Sequence, residues 1–195
     1  MIGATSAINR DGVCFTAFGL MLTFETHNVE PALAELSEAA SRYFHDRLIA
    51  PEMRPEISVT LRLVSSDHSH DVSGASTPIG LQHRDMLAVK RKGKMIPPFM
   101  FDCIIARHDD VLQTMLTLAH EWIRIAQVCS GRYILMGKPP RPGKPEKYIA
   151  QWCGTKIGLL DQIPFAARPW EIEAHEWQHK LVSEFVDRYA KDEGM

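Results

Sequence analysis

The apolar and polar residues follow patterns that divide the chain into helices and strands. An amphipathic helix is predicted to begin at Asn28, a good N-cap, because Pro31 falls in the first turn and apolar residues then recur at helical spacing until Pro51. The apolar run before it, residues 13–24, is interpreted as a pair of strands around Gly19, and the alternative is a short buried run. The chain is therefore expected to start with strands and a helix that has a polar outer face.

Further strands are predicted after this helix. The segments are rich in β-branched residues or run apolar between turn signals, and a loop rich in His, Ser and Gly follows the first of them. We predict strands in three ranges: 57–64, 85–96 and 99–106. Nearer the C-terminus, the sequence YIAQWCGTKIG at residues 148–158 predicts a short hairpin.

A long, nearly all-apolar helix is predicted between these strands and the hairpin. Asp109 or Asp110 caps its N-terminus, and Gly131 follows its C-terminus. Five of its polar residues fall within about 60° of His120 on a helical projection. They are Gln113, Thr117, His120, Arg124 and Gln127. The pattern predicts a buried helix that faces an internal polar site, and the alternative is a stripe that reaches solvent at a groove.

A final helix is predicted from about Trp170 to Ala190, with two ionisable residues, Glu171 and His175, in its apolar arc. A buried carboxylate is costly without a partner, so Glu171 is expected to meet a cation, a metal or a hydrogen-bond donor. The alternative is a glutamate that simply interacts with the helix dipole. The order of helix, strands, helix, hairpin and helix predicts an α+β fold.

Composition and charge exclude several classes of function. With 195 residues, 45% of them hydrophobic, and a formal net charge of −2, the chain has the composition of a soluble globular protein. This charge gives no general attraction to nucleic acid or to an anionic membrane. No signal peptide, transmembrane-length apolar run or Cys-x-x-Cys motif is found. We therefore expect a cytoplasmic protein that binds neither nucleic acid nor membranes.

The final helix contains a literal zinc-protease motif, H-E-x-x-H, at residues 175–179. In that motif two histidines one turn apart hold the metal, and the glutamate activates the bound water. The helical projection, however, puts Glu176 in the middle of the charged face, and Lys180 follows at a position that is normally apolar. We interpret the motif as a surface coincidence and expect Glu176 and His179 to be exposed.

Three short motifs together resemble a known family. They are TLAHEWIRIAQ, WCGTK and RPWEIEA, at residues 117–127, 152–156 and 168–174. In this order they are similar to small zincin-like metallopeptidases found in bacteriophage genomes, which are akin to Glu-ligand zincins and SprT-like proteins. The resemblance covers residues 57–190. It implies a zincin-like domain at residues 53–195 and an N-terminal extension, residues 1–52, that carries the amphipathic helix.

The resemblance implies a role for each matching residue. His120 matches the first zinc ligand, Glu121 the general base and Glu171 the third ligand, while Gln127 matches a glutamine of the family pattern. Arg124 stands where the family has its second ligand histidine, and arginine cannot donate a lone pair to Zn²⁺. The implied fold is a small mixed or antiparallel sheet packed on a buried central helix, with a C-terminal helix beside it.

Arg124 leaves two functional interpretations open, beside the absence of any zincin relation. In the first, its guanidinium replaces the metal and pairs in bidentate fashion with Glu121 and Glu171, which makes the chain a pseudo-enzyme. In the second, Arg124 turns aside and a rebuilt set of ligands binds Zn²⁺: His120, Glu171 and His175. Glu121 would then be the catalytic residue of a zinc peptidase.

The first interpretation is favoured and sets the expected function. We expect a non-catalytic structural or binding protein that has no cofactor and whose partners are other proteins. The resemblance alone adds bacteriophage structural proteins as partners, and the host cytoplasm or the virion as location. Zn²⁺ is expected only if the site is active.

Overall fold

The chain forms three α-helices and four sheets within the residues that the structure describes. In this computed structural model those residues are 8–9, 12–13, 21–64, 80–81, 86–91, 94–96, 100–137, 147–192 and 194. The helices are α1 (Pro31–Leu48), α2 (Val111–Cys129) and α3 (Pro169–Asp192). The strands are β1 (Ile8–Asn9), β2 (Gly12–Val13), β3 (Met21–His27), β4 (Ser58–Val64), β5 (Gly80–Leu81), β6 (Val89–Arg91), β7 (Lys94–Ile96), β8 (Met100–Ala106), β9 (Tyr133–Gly137), β10 (Tyr148–Trp152) and β11 (Thr155–Leu159). The predicted α+β class is confirmed.

The main sheet is mixed, with the strand order β3-β4-β8-β5. The strands β3, β4 and β8 run parallel, and β5 pairs antiparallel with β8. Along β4 the apolar residues Val59, Leu61 and Leu63 are buried, whereas the polar residues between them are partly exposed. This alternation is typical of a strand with one face on the core. The strands predicted at 57–64 and 99–106 are therefore present as β4 and β8.

The central helix α2 packs against β8 on one side, and both α1 and α3 pack against it. The core between these elements is continuous, and large buried side chains come from each of them. Examples are Phe44, Leu61, Ile105, Trp122 and Trp170. Residues 21–48 supply β3 and α1 to this core, so the boundary predicted at residue 52 lies between two elements of one core. None of the described helices has both the length and the apolar character needed to cross a membrane.

The start of α1 differs from the prediction. Glu30, not Asn28, occupies the N-cap position, and the Glu30 side chain makes no capping hydrogen bond. Asn28 precedes the helix with a φ of 54°, a left-handed conformation that asparagine tolerates better than most residues. The helix begins at Pro31 because the proline ring fixes a helical φ and leaves no N–H that needs a cap. The expected capping role of Asn28 is therefore wrong.

The ends of α2 follow the prediction. The Asp110 side chain accepts a hydrogen bond of 2.8 Å from the backbone N–H of Leu112, so Asp110 rather than Asp109 is the cap. At the other end Gly131 has a φ of 70°, and its N–H donates to Val128 O. This left-handed position after a helix favours glycine. The two ends fix which residues α2 presents to α3.

The strands near the C-terminus form an antiparallel meander in the order β11-β10-β9. The hairpin predicted at 148–158 is confirmed as β10 and β11. The segment 85–96 contains two short strands, β6 and β7, rather than the one strand predicted, because the chain reverses between them. Of the strand pair predicted at 13–24, the turn at Gly19 lies outside the described residues.

Candidate functional site

The packing of α2 on α3 brings the predicted site residues together. His120 Nε2 lies 3.1 Å from Glu171 Oε2, and Arg124 Nη2 lies 3.4 Å from Glu171 Oε1. Glu121 joins this cluster, because its Oε2 lies 3.6 Å from Arg124 Nη1. The predicted convergence of His120, Arg124 and Glu171 is confirmed.

The cluster is removed from water. The exposed fractions are 9% for Arg124, 7% for Glu121 and 2% for Glu171. The arginine contacts, at 3.4 and 3.6 Å, are longer than the usual N–H···O distance of about 2.7–3.2 Å. The guanidinium therefore spans two carboxylates on different helices, and the bidentate pairing that the sequence suggested is not formed.

The electrostatics of the cluster favour the charged forms of Glu171 and Arg124. Burial by itself would raise the pKa of Glu171, but the hydrogen bond from His120 and the charge of Arg124 lower it below its usual value. Burial would lower the pKa of Arg124, but the carboxylates of Glu121 and Glu171 raise it. At neutral pH the site therefore holds a carboxylate of Glu171 against a guanidinium.

Both ring nitrogens of His120 face protein atoms. Nε2 meets the Glu171 carboxylate, and Nδ1 lies 3.1 Å from Gln178 Oε1. A protonated ring donates to both oxygens, whereas a neutral ring donates to Glu171 and accepts from Gln178 if its amide is rotated. In either state both nitrogens are engaged by groups of α3.

Glu121 is bonded to the edge of the main sheet. The backbone N–H of Leu81 in β5 donates to Glu121 Oε2 at 3.1 Å. A Cβ added to Gly80 would lie 2.9 Å from Glu121 Oε1, and Gly80 has a φ of 92°, so glycine is required for two reasons. The carboxylate that matches a general base thus holds an edge strand. Gly80 and Leu81 were not predicted, because no local pattern reveals where β5 lies.

Two further residues near Arg124, Met86 and Tyr133, were not predicted from the sequence. Arg124 Nη2 lies 3.7 Å from the sulfur of Met86, a weak acceptor. The Tyr133 ring stacks on Trp170 with centroids 4.4 Å apart, and burial raises the pKa of its hydroxyl. In the part of the chain that the structure describes, neither the Tyr133 hydroxyl nor Arg124 Nε has a hydrogen-bond partner. Protein atoms therefore satisfy the cluster only in part.

The H-E-x-x-H residues lie on the outer side of α3. Glu176 and His179 are exposed, as predicted. The His175 ring packs against the His120 ring, with centroids 4.7 Å apart, and also contacts Phe165. His175 therefore lies on the solvent side of His120 and outside the ion pairs.

The polar stripe of α2 has a buried half and an exposed half. His120, Arg124 and Gln127 are buried, whereas Gln113 is exposed and Thr117 is partly exposed. The buried half faces α3 and the exposed half reaches solvent. The prediction of an internal polar site therefore holds for the C-terminal part of the stripe, and the alternative of a solvent-exposed stripe holds for its N-terminal part.

The arrangement does not fit the metal centre of a zincin. The Arg124 guanidinium lies between the carboxylates, and both nitrogens of His120 are engaged. Among the described residues, no three His, Cys, Asp or Glu side chains are grouped so that they could hold a metal ion. As folded, the site is a buried ion-pair cluster.

The chain matches no family model, no curated protein and no solved structure. The resemblance to zincin-like metallopeptidases is therefore limited to three short sequence motifs. The function is argued from the geometry of the cluster and from the surfaces around it.

Proposed function

We propose that this chain is a degenerate zincin-like domain and acts as a non-catalytic structural or binding protein. The observation that carries the proposal is the Arg124 guanidinium, which lies 3.4 Å from Glu171 and 3.6 Å from Glu121 inside the protein. On this proposal a permanent side-chain charge takes the place of the divalent cation that a zincin holds.

Electrostatics support an arginine in this role. Two carboxylates that face one space in a dry interior repel each other, and one takes up a proton unless a cation lies between them. A guanidinium stays charged at every physiological pH. Although burial opposes it, the lowered pKa of Glu171 agrees with a carboxylate that His120 and Arg124 neutralise.

The position of Glu121 also argues against catalysis. A general base must lie within hydrogen-bond reach of the proton that it removes. Glu121 accepts a hydrogen bond from Leu81 and pairs with Arg124. Its carboxylate therefore contributes to the fold and is not poised to activate a water molecule.

A domain that has lost its catalytic activity can still bind other molecules through its surface. We propose that the partners of this domain are proteins. On the resemblance alone, the proposal extends to bacteriophage structural proteins and to the host cytoplasm or the virion. The net charge of −2 supports neither nucleic acid nor an anionic membrane as partner.

A zinc peptidase is the second candidate, and the contact between His175 and His120 favours it. His175 packs against His120, and His120 contacts Glu171. These three side chains are the rebuilt ligand set, although they are not grouped around a metal position as the protein is folded. Binding by this set would require Arg124 to leave the cluster and His120 to release a hydrogen bond. Glu121 would then be the catalytic residue.

Metal analysis separates the two candidates. Protein from cells grown with added zinc is passed through gel filtration, and its metal content is measured by inductively coupled plasma mass spectrometry. We expect far less than one zinc per chain. Stoichiometric zinc that survives gel filtration and stabilises the fold would overturn the proposal in favour of the peptidase.

Thermal unfolding of Arg124→His gives a sharper test. This variant restores the ligand set of the family, so zinc is expected to raise its melting temperature and to leave that of the parent unchanged. Arg188→His adds a histidine at an exposed position of α3 and is the control for non-specific zinc binding. A parent that gains as much from zinc as the variant contradicts the proposal.

A further inference from the structure

A cavity of about 310 Å³ lies between the C-terminal end of α1, the second half of α2 and the middle of α3. Ile123 and Leu181 line it and are buried, and Ala126 adds further apolar surface. Trp177 also lines it and is 45% exposed. The cavity is separate from the Arg124 cluster, and its volume suits one large apolar side chain or a small ligand.

Charged side chains surround the cavity, and their sum is positive. Glu184 pairs with Arg47 at 3.1 Å and more loosely with Lys180 at 4.0 Å. Glu173 pairs with Arg132 at 2.5 Å. Among the described lining residues, three cations therefore meet two carboxylates. Lys180 shares its carboxylate with the closer Arg47, and its ammonium also lies 4.7 Å from the centroid of the Trp177 ring. Among the described lining residues it therefore has no carboxylate of its own.

The C-terminal end of α2, which borders the cavity, does not cancel this charge. Unpaired carbonyls at a helix end attract cations. Here the carbonyls of Ala126, Gln127 and Val128 already accept hydrogen bonds from the turn that follows. Gln127 also lines the cavity, and its Oε1 is a buried acceptor without a hydrogen-bond partner among the described residues. The lining therefore combines an apolar floor, excess positive charge and an acceptor that needs a donor.

We propose that this cavity is the docking site for a short acidic segment of a partner protein. One large apolar side chain of the segment enters over Ile123 and Leu181, and a neighbouring carboxylate pairs with Lys180. Trp177 becomes buried on binding, as do the aromatic residues that supply much of the binding energy in many interfaces. The segment also brings backbone N–H groups, the kind of donor that Gln127 Oε1 lacks. The inference rests on the binding role proposed above and identifies its surface.

Three peptides that differ in one property each test this site on the full chain. They are acetyl-Glu-Leu-Glu-amide, acetyl-Gln-Leu-Gln-amide, which removes the charge, and acetyl-Glu-Ala-Glu-amide, which removes the apolar anchor. Binding is followed at low ionic strength through the indole N–H signal of Trp177 in ¹H–¹⁵N spectra. The first peptide is expected to bind about threefold more tightly than the second and about tenfold more tightly than the third.

Two variants with the same change of charge complete the test. Lys180→Glu should remove the preference for the acidic peptide. Lys191→Glu, in the same helix but outside the cavity, should retain it. Equal binding of the charged and uncharged peptides, equal effects of the two variants, or no shift of Trp177 with any peptide would overturn the inference. The peptides are titrated into zinc-free protein, so this result is independent of the zinc measurements that test the degenerate site.

Discussion

Two neighbouring helices each bury a polar stripe, and the two stripes are satisfied in different ways. On α2, His120 and Arg124 both meet the Glu171 carboxylate of α3. On α1, the stripe consists of Ser37, Ser41 and His45, spaced four residues apart and all buried. The α2 stripe has charged partners on a second helix, and the α1 stripe does not.

The partners of the α1 stripe are mostly local. Ser41 Oγ donates to Ser37 O at 2.8 Å, and His45 Nδ1 lies 3.0 Å from Asp46 Oδ1. The His45 ring packs edge-on against Trp122, with centroids 5.7 Å apart. In the residues that the structure describes, Ser37 Oγ, His45 Nε2 and Trp122 Nε1 have no hydrogen-bond partner.

The contrast shows what makes a buried polar residue informative about function. Polar spacing on one helix occurs in both stripes, so spacing alone does not mark a site. Of the two stripes, only that of α2 brings opposite charges from separate helices together, at Arg124. A buried charge cluster of this kind is a candidate functional site.

The largest expected effect comes from removing the charge that holds the α2 stripe together. Arg124→Ala leaves Glu121 and Glu171 buried without a counter-charge and should lower the free energy of unfolding by roughly 3–5 kcal/mol. Urea denaturation at pH 7 measures it. The double variant Arg124→Met with Glu171→Gln should recover part of the loss, because it removes charges of both signs. If Arg124→Ala lowers the free energy of unfolding by less than about 1 kcal/mol, the buried ion pairs stabilise the protein no more than surface ion pairs do.

Gly80→Ala is expected to have the next largest effect, through the contact of β5 with Glu121. A left-handed conformation costs a non-glycine residue roughly 1–2 kcal/mol, and the new Cβ would also press on the carboxylate, 2.9 Å away. Gly131→Ala is the matched control, because its φ is also positive and nothing lies within 4 Å of the added Cβ. If the two variants lose equal stability in urea, the close approach to Glu121 contributes nothing.

As the pH falls, the stabilising contribution of the α1 stripe is expected to decrease at a higher pH than that of the α2 stripe. Burial lowers the pKa of His45 in the folded protein, although the hydrogen bond to Asp46 opposes this shift. As the pH falls below 6.5, His45 binds a proton in the unfolded chain before it does so in the folded protein. The free energy of unfolding therefore decreases until the pH reaches the folded pKa. The decrease is at most about 1.4 kcal/mol per pH unit. Denaturation at pH 7.5 and 5.5 measures this loss, and His45→Gln should reduce it.

The pKa of Glu171 is lowered as well, by His120 and Arg124 against the effect of burial. Its contribution is complete above the ordinary pKa of 4.5 and is lost as the pH falls through the lower folded value. The contributions of His45 and Glu171 therefore fall in separate pH ranges. Denaturation of the parent and of Glu171→Gln at pH 4.5 and 3.5 measures the second loss, which the variant should reduce.

The smallest effect is expected for Ser37→Ala. Removing a buried hydroxyl that has no hydrogen-bond partner among the described residues leaves nothing unpaired behind. The variant should lie within about 0.5 kcal/mol of the parent in urea. A much larger loss would show that a buried water or another group bonds to Ser37 Oγ.

The elements that the sequence predicted are those defined by local signals. Asp110 and Gly131 mark the ends of α2 because capping depends on a few neighbouring residues. The meeting of Arg124 with Glu171 was predictable for a different reason. A charged residue in an apolar helix face needs a partner, and few elements can supply one.

The elements that the sequence missed depend on residues far apart in the chain. A helix with one polar outer face was expected for α1, yet His45 is buried, because α1 packs against both α2 and α3. The hydrogen bond from Leu81 to Glu121 depends on how β5 pairs with β8. The sequence of each segment does not show which other elements will pack against it or pair with it.

The parallel strands of the main sheet have a consequence for folding kinetics. No tight turn joins parallel neighbours: α1 lies between β3 and β4, and β5, β6 and β7 lie between β4 and β8. The chain must close these long loops before it gains the hydrogen bonds of the sheet, so the sheet is expected to form slowly, over milliseconds to seconds. During synthesis β3 leaves the ribosome before its partner β4, and it remains exposed to mispairing until β4 has followed.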